Sequence, residues 1–161
     1  MIKTLLFDWG NTIMVDFGLP GPMYKWNQVA WVSGAEEALK SLSSRYICCL
    51  ATNAGASTTP EVIMALKRVG AEKYFKQIFL AREIGFKKPD KRFFRAIIDR
   101  LGFPPSSLVM IGDHYQNDCE GAKHAGLKTV FFNAKKSEGD FPLADKVIRN
   151  LDELEKTIDL L

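Results

Sequence analysis

Four residues of this sequence combine types that can act together on an anionic ester: Asp8, Thr52, Lys88 and Asp113. Asp8 follows the apolar run Leu5-Leu6-Phe7 and precedes Trp9-Gly10-Asn11-Thr12. Such a run reads as a buried strand of a parallel sheet, and Gly10-Asn11 marks the turn that ends it. Asp8 therefore belongs at the carboxyl end of a central strand, where open α/β sheets take their ligands. Taken alone, it reads most simply as a helix N-cap. Thr52 and Asp113 change that reading, because each follows an apolar run of its own, 46–51 and 107–111. Lys88 stands in the turn Gly85-Phe86-Lys87-Lys88-Pro89-Asp90. Parallel strands share one carboxyl edge, so these four side chains can converge. Two neighbouring carboxylates repel each other unless a cation lies between them. With hard oxygen ligands and water, Mg²⁺ is the natural choice. A hydroxyl and an ammonium added to that pair suit phosphoryl transfer, where an anionic nucleophile meets an anionic phosphate and needs positive charge on both sides.

The elements that must position these residues follow from periodicity. Residues 2–8 read as the first strand. Residues 13–32 hold Gly18, Pro20, Gly21 and Pro22 and cannot form a long regular element. Their aromatics, Phe17, Tyr24, Trp26 and Trp31, either pin an ordered loop to the body or stand beside the site as a short flap. Ser33, with Glu36 three residues on, predicts a capping box for a helix with Ala35, Ala38, Leu39 and Leu42 as its stripe. Thr59 is the expected N-cap of the next helix, with Pro60 first inside it, Val62, Ile63, Leu66 and Val69 facing inward, and Gly70 closing it. A short strand is expected over 77–81. Asp90 is expected to cap a helix over 91–101 that buries Phe93, Phe94, Ile97, Ile98 and Leu101 and ends at Gly102. A helix over 117–125, strands over 127–132 and 146–148, and a last helix from Asp152 complete the reading. Strands alternating with helices imply right-handed crossovers and a doubly wound parallel sheet, an α/β fold with helices on both faces.

At 161 residues the chain fits one domain, 1–161, with a single sizeable core. Hydrophobic content of 47% and charged content of 25% are those of a soluble globular protein. A net charge of +3 argues against a nucleic-acid partner, and no apolar run reaches the length of a membrane span. The sequence opens on strand-like residues, so no leader is expected. Cys48, Cys49 and Cys119 show no metal spacing and read as buried thiols, which fits a reducing, cytoplasmic setting.

The order of these segments resembles the haloacid dehalogenase-like (HAD) superfamily over nearly the whole chain. Phe7-Asp8-Trp9-Gly10-Asn11-Thr12 is similar to its first motif, Leu50-Ala51-Thr52-Asn53 to its second and Lys88-Pro89-Asp90 to its third. Ile111-Gly112-Asp113-His114-Tyr115-Gln116-Asn117-Asp118 is similar to its fourth. Each motif is weak by itself; four in order at strand ends are specific. The resemblance implies that Asp8 is a nucleophile forming an aspartyl-phosphate. Thr52 and the Asn53 amide would hold phosphate oxygens. Lys88 would orient Asp8 and offset phosphate charge. Asp113, Asp8 and the Gly10 carbonyl would ligate Mg²⁺, with Asn117 and Asp118 supporting the metal from behind its ligands.

One position departs from the pattern. The family's phosphatases carry a second aspartate two residues after the nucleophile, which protonates the leaving group and then activates water. Here that residue is Gly10, and loss of a general acid/base costs about 10²–10⁴ in rate. The first motif also resembles the phosphonoacetaldehyde hydrolase branch, whose Schiff-base lysine comes from a cap domain that residues 13–32 cannot supply. His114 and Asp16 are the substitutes considered for the missing acid; a loop-rim role for His114 and a turn role for Asp16 are the simpler readings. His124 and Lys87 read as surface residues. The leading expectation is a Mg²⁺-dependent phosphatase-like hydrolase with at most a minimal cap, 13–32. The alternatives are a non-catalytic phosphate- or partner-binding module, favoured by Gly10, and a metal-free haloacid dehalogenase, which leaves Asp113 unexplained. So open a site would admit a phosphorylated small molecule or a phosphoprotein, or be covered by a second copy of the chain through residues 17–31.

Overall fold

A computed structural model describes residues 1–161. Its strands are β1 (Thr4–Phe7), β2 (Ile47–Thr52), β3 (Gln77–Leu80), β4 (Leu108–Gly112), β5 (Lys128–Phe132) and β6 (Lys146–Ile148). They form one parallel sheet in the order β3-β2-β1-β4-β5-β6. The chain steps outward from β1 in one direction through β3, then returns and steps outward in the other. The reversal lies between β1 and β4, and a crevice at the carboxyl ends of those strands is where such sheets take ligands. Phe7 pairs with Leu50 and with Ile111, so Asp8 emerges level with the ends of β2 and β4.

Alternation along the strands divides the core in two. Leu5, Phe7, Cys48, Leu50, Val109 and Ile111 face one side. There α1 (Ala35–Leu42), α2 (Thr59–Val69) and α6 (Leu154–Asp159) cover them. Leu6, Cys49, Ala51 and Met110 face the other side, beneath Phe93, Phe94 and Ile97 of α4 (Lys91–Leu101). Both faces of the sheet are therefore covered, as the continuous apolar runs require. No helix is long and apolar enough to cross a membrane. The three cysteines are buried, and burial pushes the Cys48 thiol up to about 12 and Cys49 to about 11.

Several local expectations are corrected. The Ser33–Glu36 box does not form: Gly34, left-handed at φ 81°, is the N-cap of α1, and no side chain caps it. Glu36 then lies only two residues inside the helix, one short of the box position. At α2 the cap is Thr58, not Thr59. The Thr58 N–H donates to the Glu61 carboxylate at 2.8 Å, whereas Val62, the third residue after Thr59, has no side-chain acceptor. Ile63 and Val69 of α2, and Ile98 and Leu101 of α4, are only half-buried. The short strand ends at Leu80, and Ala81–Ile84 form a turn of helix, α3. The helix expected from Asn117 begins instead at Tyr115 as a wide π-helical turn, Tyr115–Glu120, and runs into α5 (Gly121–His124). The last helical segment opens one residue early, as a 3₁₀ turn at Leu151–Glu153. Within residues 13–32, Met23 is buried, and the Trp31 indole donates to the Val69 carbonyl of α2 at 3.1 Å, while Leu19 and Trp26 line the cavity described below.

Gly121 is where α5 meets the Lys88–Pro89 turn. A Cβ there would lie 1.8 Å from the Pro89 carbonyl oxygen and 2.9 Å from the Phe94 ring. Backbone cannot yield that much without displacing the turn. Gly121→Ala is therefore expected to destabilise the chain by about 3 kcal/mol. In thermal denaturation that is a fall of about 6–12 °C for a chain of this size.

Candidate active site

The sheet's carboxyl edge carries a buried ionic cluster. Lys88, only 2% exposed, donates to Asp8 Oδ1 at 2.8 Å and to Asp118 Oδ1 at 2.6 Å. Lys88 reaches that point because Asn53 clamps its backbone. The Asn53 carboxamide accepts from the Lys88 N–H at 2.8 Å and donates to the Lys88 carbonyl at 2.9 Å. That clamp occupies both ends of the Asn53 side chain. Asp118 is fully buried; its second oxygen accepts from the His114 N–H at 2.9 Å. It also lies directly against Gly112, where a Cβ would be 2.1 Å from Asp118 Oδ2. The π-helical turn thus delivers Asp118 beneath the end of β4. His114 starts that turn, with Nδ1 accepting from the Asn117 N–H at 3.2 Å.

Asp113 completes the cluster. Thr12, buried in the turn after β1, donates to Asp113 Oδ1 at 3.1 Å. One carboxylate oxygen each from Asp8, Asp113 and Asp118 lie within 4.8 Å of one another. Burial, then the charge of Asp8, pushes the Asp113 carboxyl up to about 6. Burial pushes Asp118 up to about 7 against the pull of Lys88. Burial alone would lower Lys88, but the charges of Asp118 and Asp8 outweigh it and hold the ammonium protonated. Three carboxylates face one ammonium, so the fully ionised cluster lacks two positive charges. The donor set fits a hard divalent cation. Asp8 Oδ2, Asp113 Oδ2 and the Gly10 carbonyl receive no hydrogen bond from the protein, whereas both oxygens of Asp118 are engaged.

A cavity of about 570 Å³ opens above the cluster. Asp8, Thr52, Lys88 and Asp113 all line it, so the structure brings together the four residues singled out from sequence. Asn53, Asn117, Asp118 and Gly10 line it too. The Thr52 hydroxyl accepts from the Ala54 N–H at 3.2 Å. Leu19, Met23 and Trp26 form an apolar wall, and the Trp26 indole is fixed by the carbonyls of Pro20 and Gly21 at 3.2 and 3.0 Å. Lys87 and His124 are exposed, as expected, and Cys119 is buried. Sequence reasoning missed the direct Lys88–Asp118 bond and the role of His114 at the start of the π-helical turn. The spacing of four between His114 and Asp118 was the available signal, obscured by the expectation of a helix starting at Asn117.

The fold and this cluster define a class, and the family model of haloacid dehalogenase-like hydrolases matches residues 23–132. The chain belongs to that family. Asp8 and Gly10 precede the matched residues. Pyrimidine 5'-nucleotidase YjjG from Escherichia coli is 32% identical over 127 residues, covering 78% of this chain and 55% of that protein. A glyceraldehyde 3-phosphate phosphatase from Pyrococcus furiosus is 28% identical over 140 residues, covering 84% of this chain and 57% of that one. The chain thus spans little more than half the length of these relatives. Among solved structures, a HAD phosphatase from Thermococcus onnurineus superposes with a TM-score of 0.80 at 21% identity, covering 98% of both chains. The magnesium-bound HAD-hydrolase YfnB from Bacillus subtilis gives 0.81 at 21% identity, covering 98% of this chain and 99% of that one. At these identities the likeness shows the fold.

Proposed function

We propose that the chain is a Mg²⁺-dependent phosphohydrolase that forms an aspartyl-phosphate on Asp8. The observation that carries this reading is the Lys88 ammonium held between Asp8 and Asp118, beside Asp113, at the floor of an open cavity. Lys88 holds Asp8 by one oxygen and so orients its carboxylate for attack on phosphorus. Thr52 and the backbone after it hold phosphate oxygens. Asp118 keeps Lys88 charged and oriented. Asp8, Asp113 and the Gly10 carbonyl are the groups that would hold Mg²⁺, which would offset the negative charge of the two reactants. The phosphatase relatives support a phosphorylated small molecule as substrate, and a cavity of about 570 Å³ is of the size that takes one.

Gly10 favours a second reading, a phosphate-binding module without turnover. The two part on one assay. Release of p-nitrophenol from p-nitrophenyl phosphate is expected with Mg²⁺ and is expected to vanish with excess chelator. Phosphate binding with Mg²⁺ but no release above buffer would leave only the second reading. Halide release from 2-chloropropionate without metal would replace both with a dehalogenase.

A further inference from the structure

Departure of an alkoxide from phosphorus calls for a proton, and the Lys88 ammonium at the cavity floor is already engaged by Asp8 and Asp118. Asp8 is the attacking group, Asp113 faces the cation position, and Asp118 is bound on both oxygens. Asp16 is the one remaining carboxylate on the cavity wall. Its Cβ lies 3.5 Å, and its Oδ2 3.7 Å, from the point where a Cβ on Gly10 would stand. Six residues along the chain, Asp16 thus brings a carboxylate back to the place where Gly10 offers no side chain.

The carboxylate is held there. The Asp16 N–H donates to Asn11 Oδ1 at 2.9 Å, and Asp16 Oδ1 accepts from the Gly18 N–H at 2.9 Å. Asn11 turns the chain at φ 59°, and Thr12, Ile13 and Met14 all direct their N–H groups at the Trp9 carbonyl, which folds the segment back over Gly10. These bonds leave Oδ2 without a protein partner, and Oδ2 is the oxygen nearest Gly10. His114, the other lining group able to carry a proton, is exposed like Asp16 but has its Nδ1 committed to the Asn117 N–H.

We infer that Asp16 is the proton-transferring residue of this site, an inference that rests on the phosphohydrolase reading. An Asp8 carboxylate oxygen forms a bond to phosphorus as the phosphorus–ester oxygen bond breaks. The electron pair goes to the ester oxygen, which takes the proton of the Asp16 carboxyl and leaves as an alcohol. Asp16, now a carboxylate, takes a proton from water while the water oxygen bonds to phosphorus. The phosphorus–Asp8 bond breaks, its electron pair returns to Asp8, and phosphate leaves.

The test is Asp16→Asn, which keeps the acceptor for the Gly18 N–H and removes the proton. Wild type and variant are compared on phenyl, p-nitrophenyl and 2,4-dinitrophenyl phosphate with Mg²⁺, following phenol release in single turnover. Phenyl phosphate, whose leaving group needs the proton, is expected to slow by about 10²–10⁴, and the dinitrophenyl ester by no more than a few-fold. Adding Gly10→Asp to Asp16→Asn is expected to restore the phenyl ester at least tenfold, since ordinary van der Waals space surrounds a Cβ there. Equal losses across the three esters, or no loss on any, would overturn the assignment of Asp16. A wild-type chain inert even to the dinitrophenyl ester would instead overturn the phosphohydrolase reading itself.

Discussion

Asp8→Asn is expected to abolish the proposed turnover, with a fall of about 10⁴–10⁶ in kcat, the loss that follows when the nucleophile of a covalent mechanism is removed. The fold survives the change. The asparagine carbonyl still accepts from Lys88, and Lys88 keeps Asp118 at 2.6 Å. The substitution also removes one of three crowded carboxylates, so melting is expected within a few degrees of wild type. Acid quenching of wild type with labelled aryl phosphate traps label on protein, and the variant traps none. Activity in the variant within tenfold of wild type would exclude Asp8 as the attacking group.

Lys88→Met has the largest expected effect on stability. It strands a fully buried Asp118, and breaking a buried pair by removing one partner costs about 3–5 kcal/mol. That corresponds to a fall of about 6–20 °C in Tm. The deficit depends on pH in a determined direction. Burial already raises Asp118 to about 7 with Lys88 present, and the lysine lowers it, so the variant's carboxyl titrates higher still. A group raised in the folded state gives its stability below its unfolded value and loses it as pH rises through the folded one. The variant therefore melts closest to wild type near pH 4 and falls furthest behind above pH 7. Adding Asp118→Leu removes the stranded charge and is expected to recover most of the loss at pH 8. Equal melting of Lys88→Met and wild type at both ends of that range would show that the lysine holds nothing together.

The strand ends were legible because each apolar run stops at a polar residue, and a parallel sheet gathers such ends on one edge. Asp8, Thr52 and Asp113 followed from that rule alone. Lys88 lies in a turn rather than at a strand end, and its role of orienting Asp8 came from a resemblance. The helix starts were less legible. Ser33 and Thr59 are sound caps by residue type, but Gly34 in a left-handed conformation and the reciprocal Thr58–Glu61 bonds decided otherwise. The wide turn at Tyr115–Glu120 leaves no mark in apolar periodicity, so the route of Asp118 to Lys88 was hidden. Asp16 read as a turn residue, and its bond to the Gly18 N–H makes it one. Only the fold-back over Gly10 shows that the same side chain also faces the cavity.

The chamber has two separately attached parts. Its floor is assembled from the ends of strands and the turns that follow them, with Lys88 tying Asp8, Asn53 and Asp118 together and Thr12 holding Asp113. Its apolar wall, Leu19 to Trp26, is a single excursion fastened to α2 through the carbonyls of Tyr24 and Trp26, which take the Arg68 guanidinium, and through Trp31. No hydrogen bond joins that stretch to the ionic cluster. The stretch that would set which molecules are admitted is thus bonded apart from Asp8, Lys88, Asp113 and Asp118, and meets the proposed reacting groups beside Asp16, whose Oδ1 accepts from the Gly18 N–H just before Leu19.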